Sequence, residues 1–170
     1  MKIIMKVFIA MVFITVLCTT VFAIHETQPA ETQLTLPGPS ATALYTYIMK
    51  LDPYSQWELW PGKGKLYRGT EPHGSFLTTY VNGRAYGSAQ KKTAMPDGAI
   101  IVKENYTPDK TLAALTVLYK IKGYNPEKGD WFWAQYEPNG KEVASGKIDS
   151  CIACHETRKD NDYIFTGPVK

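Results

Sequence analysis

The chain opens on a charged start, MKIIMK, and an apolar run interrupted only by Thr15, VFIAMVFITVLC, over residues 7–18, before TTVFA. A basic n-region, an apolar h-region and a small-residue site ending at Ala23 read as a signal peptide over residues 1–23. The alternative is an uncleaved anchor, but a twelve-residue run falls short of the ~20 that a helical span needs. Residues 24–40 are polar and proline-bearing and read as an extended arm. The domain proper spans 41–170.

Within that domain the pattern is first helical, then alternating. ATALYTYIMK (41–50) predicts a helix with Ser40 as N-cap, and DPYSQWELW (52–60) a second short one stopped by Pro61 and Gly62. PGKGKLYRGT reads as a loop. FLTTYVN (76–82), AIIVKENY (99–106), TLAALTVLYKIK (111–122), DWFWAQY (130–136) and KEVASGKI (141–148) read as strands. Asn139-Gly140 between the last two marks a hairpin. AYGSAQKKT (85–93) reads as a helical turn or short helix. The expected class is α+β: mainly antiparallel sheet, a few short helices, and a C-terminal helix from about Ser150 to Lys159. In period 2, Trp131 and Trp133 share one sheet face and Phe132 takes the other. Trp57 and Trp60 join them as core or dimer-surface residues.

Charge changes the picture little. Loss of Lys2 and Lys6, and of no acid, takes the formal net charge from +3 to +1. That supplies no electrostatic case for nucleic acid or an anionic membrane. The cysteines change it more. Cys18 lies in the h-region, with Leu17 where a lipoprotein site needs a small residue, so only Cys151 and Cys154 remain after export.

These two stand in CIACH, residues 151–155. Cys-x-x-Cys-His is the attachment signature of c-type haem. Two thiols on one helical turn reach the two vinyl groups, and the adjacent histidine ligates the iron from below. The expectation is one covalent haem c per chain, with His155 as metal ligand and a periplasmic location. A thioredoxin-like pair belongs early in a domain, at a strand-to-helix turn. A zinc site needs about four ligands, and only His25 and His73 remain elsewhere in the exported chain. No Met or His follows His155, and Met49 and Met95 lie far upstream. One firm protein ligand leaves a distal face open to small molecules. His73, in Pro-His-Gly, competes as a distal ligand with its simpler reading as a turn opening the 76–82 strand. Arg84, Lys91 and Lys92 read as a solvated patch, with a haem propionate as the alternative partner.

C-terminal haem motifs also occur in four-helix cytochromes, but the strand runs here exclude such a bundle. W-x-L-W-P-G (57–62), P-H-G (72–74), T-Y-V-N (79–82), M-P-D-G-A-I-I-V-K-E-N (95–105), Y-K-I-K-G-Y-N-P-E-K-G-D-W-F-W (119–133), C-I-A-C-H (151–155) and D-Y-I-F-T (162–166) together resemble the cytochrome P-460 family, from about residue 41 to the end. The resemblance implies a mainly antiparallel β fold, often a homodimer, binding haem c through its C-terminal motif. It also implies one of two functions. Cytochrome P-460 proper bonds a lysine to the porphyrin rim, oxidises hydroxylamine, and passes electrons to another cytochrome. An arginine and an acid line its distal pocket. The cytochromes c′-beta bind gases such as nitric oxide or carbon monoxide in an apolar pocket capped by phenylalanine.

By this resemblance the lysine maps to Lys103, whose alternative is a strand lysine facing water. The arginine position falls at Leu77 and the acid position near Leu118; leucine at both removes the cation and the proton acceptor. Phe76 is the cap expected by resemblance, with plain core aromatic as the alternative. Glu104, adjacent to Lys103 on a strand, points the other way. Lys103 favours the enzyme; Leu77 and Leu118 favour the gas binder. A plain electron carrier is the weakest option without a visible sixth ligand.

Overall fold

The computed structural model describes residues 34–169. The expected signal peptide, and the arm as far as residue 33, lie outside the described residues. Residues 34–40 run without helix or strand. Leu36 packs onto the core there, and Pro37 accepts a hydrogen bond from the Tyr119 hydroxyl at 2.8 Å.

Seven antiparallel strands make one sheet. β1 (Glu58–Leu59) and β2 (Tyr67–Arg68) both pair with β3 (Phe76–Val81), and the order continues through β4 (Ile100–Tyr106), β5 (Leu112–Lys120), β6 (Trp131–Tyr136) and β7 (Glu142–Gly146). The five strands expected from alternation are all present, each trimmed by a residue or two at its ends. The class is mainly antiparallel α+β, as the pattern implies.

Each face of the sheet has its own apolar cluster. Tyr80, Ile100, Val102, Val117, Phe132 and Tyr136 face helix α1 (Ala41–Thr46) and the π-helical turn Tyr47–Leu51 that continues it, where Leu44 and Ile48 are fully buried. Ser40 caps α1 as expected, accepting from the Ala43 N–H. Glu104 is on this side, accepting from the hydroxyls of Tyr54 at 3.0 Å and Tyr106 at 2.7 Å. The opposite face gathers Val81, Ile101, Leu118, Trp131 and Trp133 beneath α2 (Gly83–Lys91), α3 (Asp149–His155) and the C-terminal tail. The pleat therefore splits Trp131 and Trp133 from Phe132, as period 2 requires.

Two expected helices differ. Residues 52–60 form only a 3₁₀ turn at Tyr54–Gln56 before β1. Asp52 holds this corner by accepting from Trp57 Nε1 at 2.8 Å. The haem-motif helix is also shorter than Ser150–Lys159: α3 stops at His155 and a 3₁₀ segment, Glu156–Asn161, replaces its second half. Asp162 and Tyr163 then take left-handed φ values of 54° and 66° and turn the chain back onto the sheet.

Asn82 ties α2 to the sheet. Its Oδ1 accepts from the N–H groups of Ala85 at 3.0 Å and Ile100 at 3.1 Å, and its Nδ2 donates to the Gly98 carbonyl at 2.8 Å. Arg84, Lys91 and Lys92 line neither cavity of the site described next.

Candidate haem site

The site grows from one face of the sheet. Strand register aligns Thr79, Lys103, Thr116 and Gln135 in one row across β3, β4, β5 and β6. Leu77, Asn105 and Ala114 align in the next row, and Ile101, Leu118 and Trp133 in the one before. All face the same side because each row is two residues from its neighbour.

Two adjoining cavities open on this face, of about 530 and about 220 Å³. The larger is lined by Asn105, Thr116, Leu118, Trp133 and the whole Cys151–Cys154–His155 motif. The smaller is lined by Leu77, Lys103, Tyr67 and Phe165. Glu71, Pro72, His73, Cys154 and His155 line both, so the two form one cleft centred on the histidines.

α3 presents the motif to this cleft. Both thiols are free, Cys151 half-buried and Cys154 exposed. His155 is 5% exposed. Its Nδ1 lies 2.6 Å from the Tyr163 carbonyl oxygen. A carbonyl only accepts, so Nδ1 holds the proton and Nε2 keeps its lone pair for a metal. Burial lowers the imidazole's pKa, with Lys103 nearby adding to the effect against the Tyr163 hydrogen bond. The neutral form that ligates metals is thereby favoured. Trp133 and Phe165 stand edge-on to the His155 ring at 4.7 and 5.0 Å between centroids.

Lys103 is 6% exposed, and no ion pair reaches it among the described residues. Burial lowers its pKa to about 8. Its water-facing reading is therefore replaced by a buried amine on the cleft.

His73 leaves the role of a simple turn. It precedes β3 as expected, but its ring enters the cleft and donates from Nδ1 to Asn105 Oδ1 at 3.2 Å. The Asn105 orientation follows from its own contacts. Nδ2 donates to the carbonyls of Lys103 and Ala114, at 3.0 and 3.2 Å, which leaves Oδ1 for the histidine. Burial lowers the His73 pKa to about 4, with Lys103 and His155 adding to it.

Leu77, Leu118, Lys103, Cys151, Cys154 and His155 thus come together. Phe76 does not. One residue from Leu77, it faces the other side of the sheet and lines neither cavity. Its ring meets the Arg68 guanidinium at 5.2 Å and the Lys110 ammonium at 5.6 Å. The aromatic beside His155 is instead Phe165, from the tail. Sequence reasoning missed Phe165 and Trp133, which reach His155 only through folding. It also missed Asn105, although its spacing of two from Lys103 already placed it on the same face.

The family model for cytochrome P-460 matches residues 53–166, which include every strand and the haem motif. The chain belongs to the cytochrome P-460 family. It is a haem c protein of that family. No curated protein matches the chain.

The residues of this cleft fit a haem on observations of their own. Two unpaired thiols sit on one turn beside a histidine whose Nε2 is free. Trp133 lines the larger cavity, and its Nε1 is the one buried side-chain polar atom without a partner among the described residues. Such an orphaned donor is expected where a bound group completes the site.

Proposed function

We propose that this is an exported, periplasmic cytochrome P-460 with one haem c per chain, held covalently by Cys151 and Cys154 and ligated by His155. We further infer that Lys103 bonds to the porphyrin rim and that the protein oxidises hydroxylamine or a related nitrogen species. Electrons then pass to a partner cytochrome, and the working unit is a homodimer. The observation that carries this reading is Lys103. An amine with a pKa near 8, buried on the cleft that His155 also lines, has a much larger neutral, nucleophilic fraction than a solvated lysine. Forming the bond replaces an N–H and a rim C–H by C–N. An external two-electron oxidant such as a peroxide takes up the two electrons and two protons.

A haem held by Cys151, Cys154 and His155 would supply a redox-active iron at which small molecules react or bind. The chain's residues do the rest. Tyr163 holds the His155 tautomer, Trp133 and Phe165 flank its ring, and the sheet excludes water from Lys103.

A second reading is a gas binder for nitric oxide or carbon monoxide. Leu77 and Leu118 on the cleft favour it, because they supply neither the cation nor the proton acceptor of the enzyme branch. The test is the absorption spectrum of the reduced holoprotein with peptide mapping of its digest. A red-shifted Soret band and a haem peptide joined to the one containing Lys103, followed by hydroxylamine turnover, support the enzyme. An ordinary haem c spectrum, with haem on the CIACH peptide alone, overturns the extra bond and leaves gas binding.

A further inference from the structure

His73 and His155 face each other across the cleft. Their ring centroids are 6.0 Å apart, with planes at 86°. Both rings have Nδ1 engaged, His155 on the Tyr163 carbonyl and His73 on Asn105 Oδ1. Both therefore offer Nε2, the nitrogen with the free lone pair. Two imidazoles that ligate one ion from opposite sides through Nε2 set their ring centres roughly 6 Å apart, from a ~2 Å metal–nitrogen bond and ~1 Å more to each ring centre.

The turn that carries His73 is fixed at several points. His73 N–H donates to the Thr70 carbonyl at 3.1 Å. The next residue, Gly74, has φ +96°, and a Cβ there would stand 2.7 Å from the Tyr106 carbonyl oxygen, so only glycine lets the turn close on β4. Asn105 is 5% exposed and locked by its own hydrogen bonds. These contacts aim the His73 ring at His155.

We propose that His73 is the second axial ligand of the haem iron, bound through Nε2, and that small molecules reach the iron by displacing it. The inference rests on the reading that the haem sits on His155. It does not depend on the Lys103 bond. His155 is the stronger tether, because its neighbour Cys154 anchors the same helix to the porphyrin. The His73 ring is held by one side-chain hydrogen bond and its turn carries no covalent tether to the porphyrin, so it is the ligand that leaves. This gives the cleft a selectivity filter: only ligands that outcompete an imidazole bind.

The experiment uses the purified holoprotein. Ferric wild type is expected to give a low-spin, six-coordinate absorption and paramagnetic resonance spectrum at neutral pH. His73→Phe is expected to become high-spin with its covalent haem retained, and added free imidazole to restore the low-spin form. A high-spin wild type overturns the proposal, as does a His73→Phe protein that stays low-spin. Should His73→Phe fail to fold, His73→Ala gives the same comparison, and Lys103→Met is expected to stay low-spin; a Lys103→Met protein that turns high-spin overturns the proposal. The observed rate of carbon monoxide binding to the reduced protein should level off as ligand rises, limited by His73 release; a rate linear in ligand overturns the proposal. Peptide mapping of the same samples reports the Lys103 bond separately, so failure of either idea is visible without the other.

Discussion

The His155 imidazole donates its Nδ1 proton to the Tyr163 carbonyl at 2.6 Å, across eight residues of chain. This contact exists because the tail reverses at Asp162 and Tyr163. Asp162 secures the reversal. Its carboxylate accepts from the Met95 N–H at 2.7 Å and from Lys120 Nζ at 2.6 Å, and its carbonyl accepts from Trp131 Nε1 at 3.0 Å.

Asp162→Ala should therefore act on both stability and haem. It strands a mostly buried Lys120 and a buried amide, at a cost of about 3–5 kcal/mol. Asp162→Asn keeps a residue type suited to the left-handed backbone and should cost less. Urea unfolding of both variants checks the order. If the tail orients His155, the haem spectrum of the alanine variant should also become heterogeneous.

Lys103 makes a pH prediction. In the haem-free fold, burial holds its pKa at about 8, against 10.5 ordinarily. The charged form is disfavoured in the fold, so below pH 8 the burial cost is fully present. The unfolded chain binds the extra proton between the two values, so stability rises with pH across that window. The gain is on the order of 3 kcal/mol. Denaturation of the Cys151→Ala/Cys154→Ala protein, with and without Lys103→Met, should show this rise only where Lys103 is present. A parallel pair of curves would refute it.

Replacing the thiols one at a time separates the tethers. Cys154→Ala should lose one vinyl link and Cys151→Ala the other, each lowering covalent haem yield. If the Lys103 bond forms, denatured protein lacking both cysteines but matured with haem should still carry haem on the Lys103 peptide. Haem staining of denaturing gels, followed by mass mapping, gives the answer.

Asn82→Ala removes the cap of α2 and two bonds to the β4 region. The loss should be about 2–3 kcal/mol, from ~1 for the cap and the rest for unsatisfied buried amides. Thermal unfolding measures it. The haem spectrum should stay unchanged, because Asn82 lines neither cavity.

Phe76 and Phe165 provide a paired control. Phe165→Ala should perturb the Soret band and ligand rates, because that ring lies 5.0 Å from His155. Phe76→Leu should leave both as they are, since its ring faces the other side of the sheet.

Local chemistry was legible in the order of residues alone. Period-2 alternation placed five strands and split Trp131 and Trp133 from Phe132, because the pleat is a property of neighbouring residues. CIACH pointed to a haem c protein, because three groups within five residues suffice for that signature, and the family match agrees. The sequence also put Lys103 and Glu104 on opposite faces. What it left open depends on contacts between distant segments. Phe76 looked like a cap until register showed which face it takes, and Phe165 became the neighbour of His155 only through the turn at Asp162. The burial that lowers the Lys103 pKa comes from strands on both sides and from the tail. The pairing of His73 with His155 joins residues more than eighty positions apart, through a turn and a buried asparagine. Only the folded sheet brings them to one cleft, because long-range packing and desolvation are set by the whole fold.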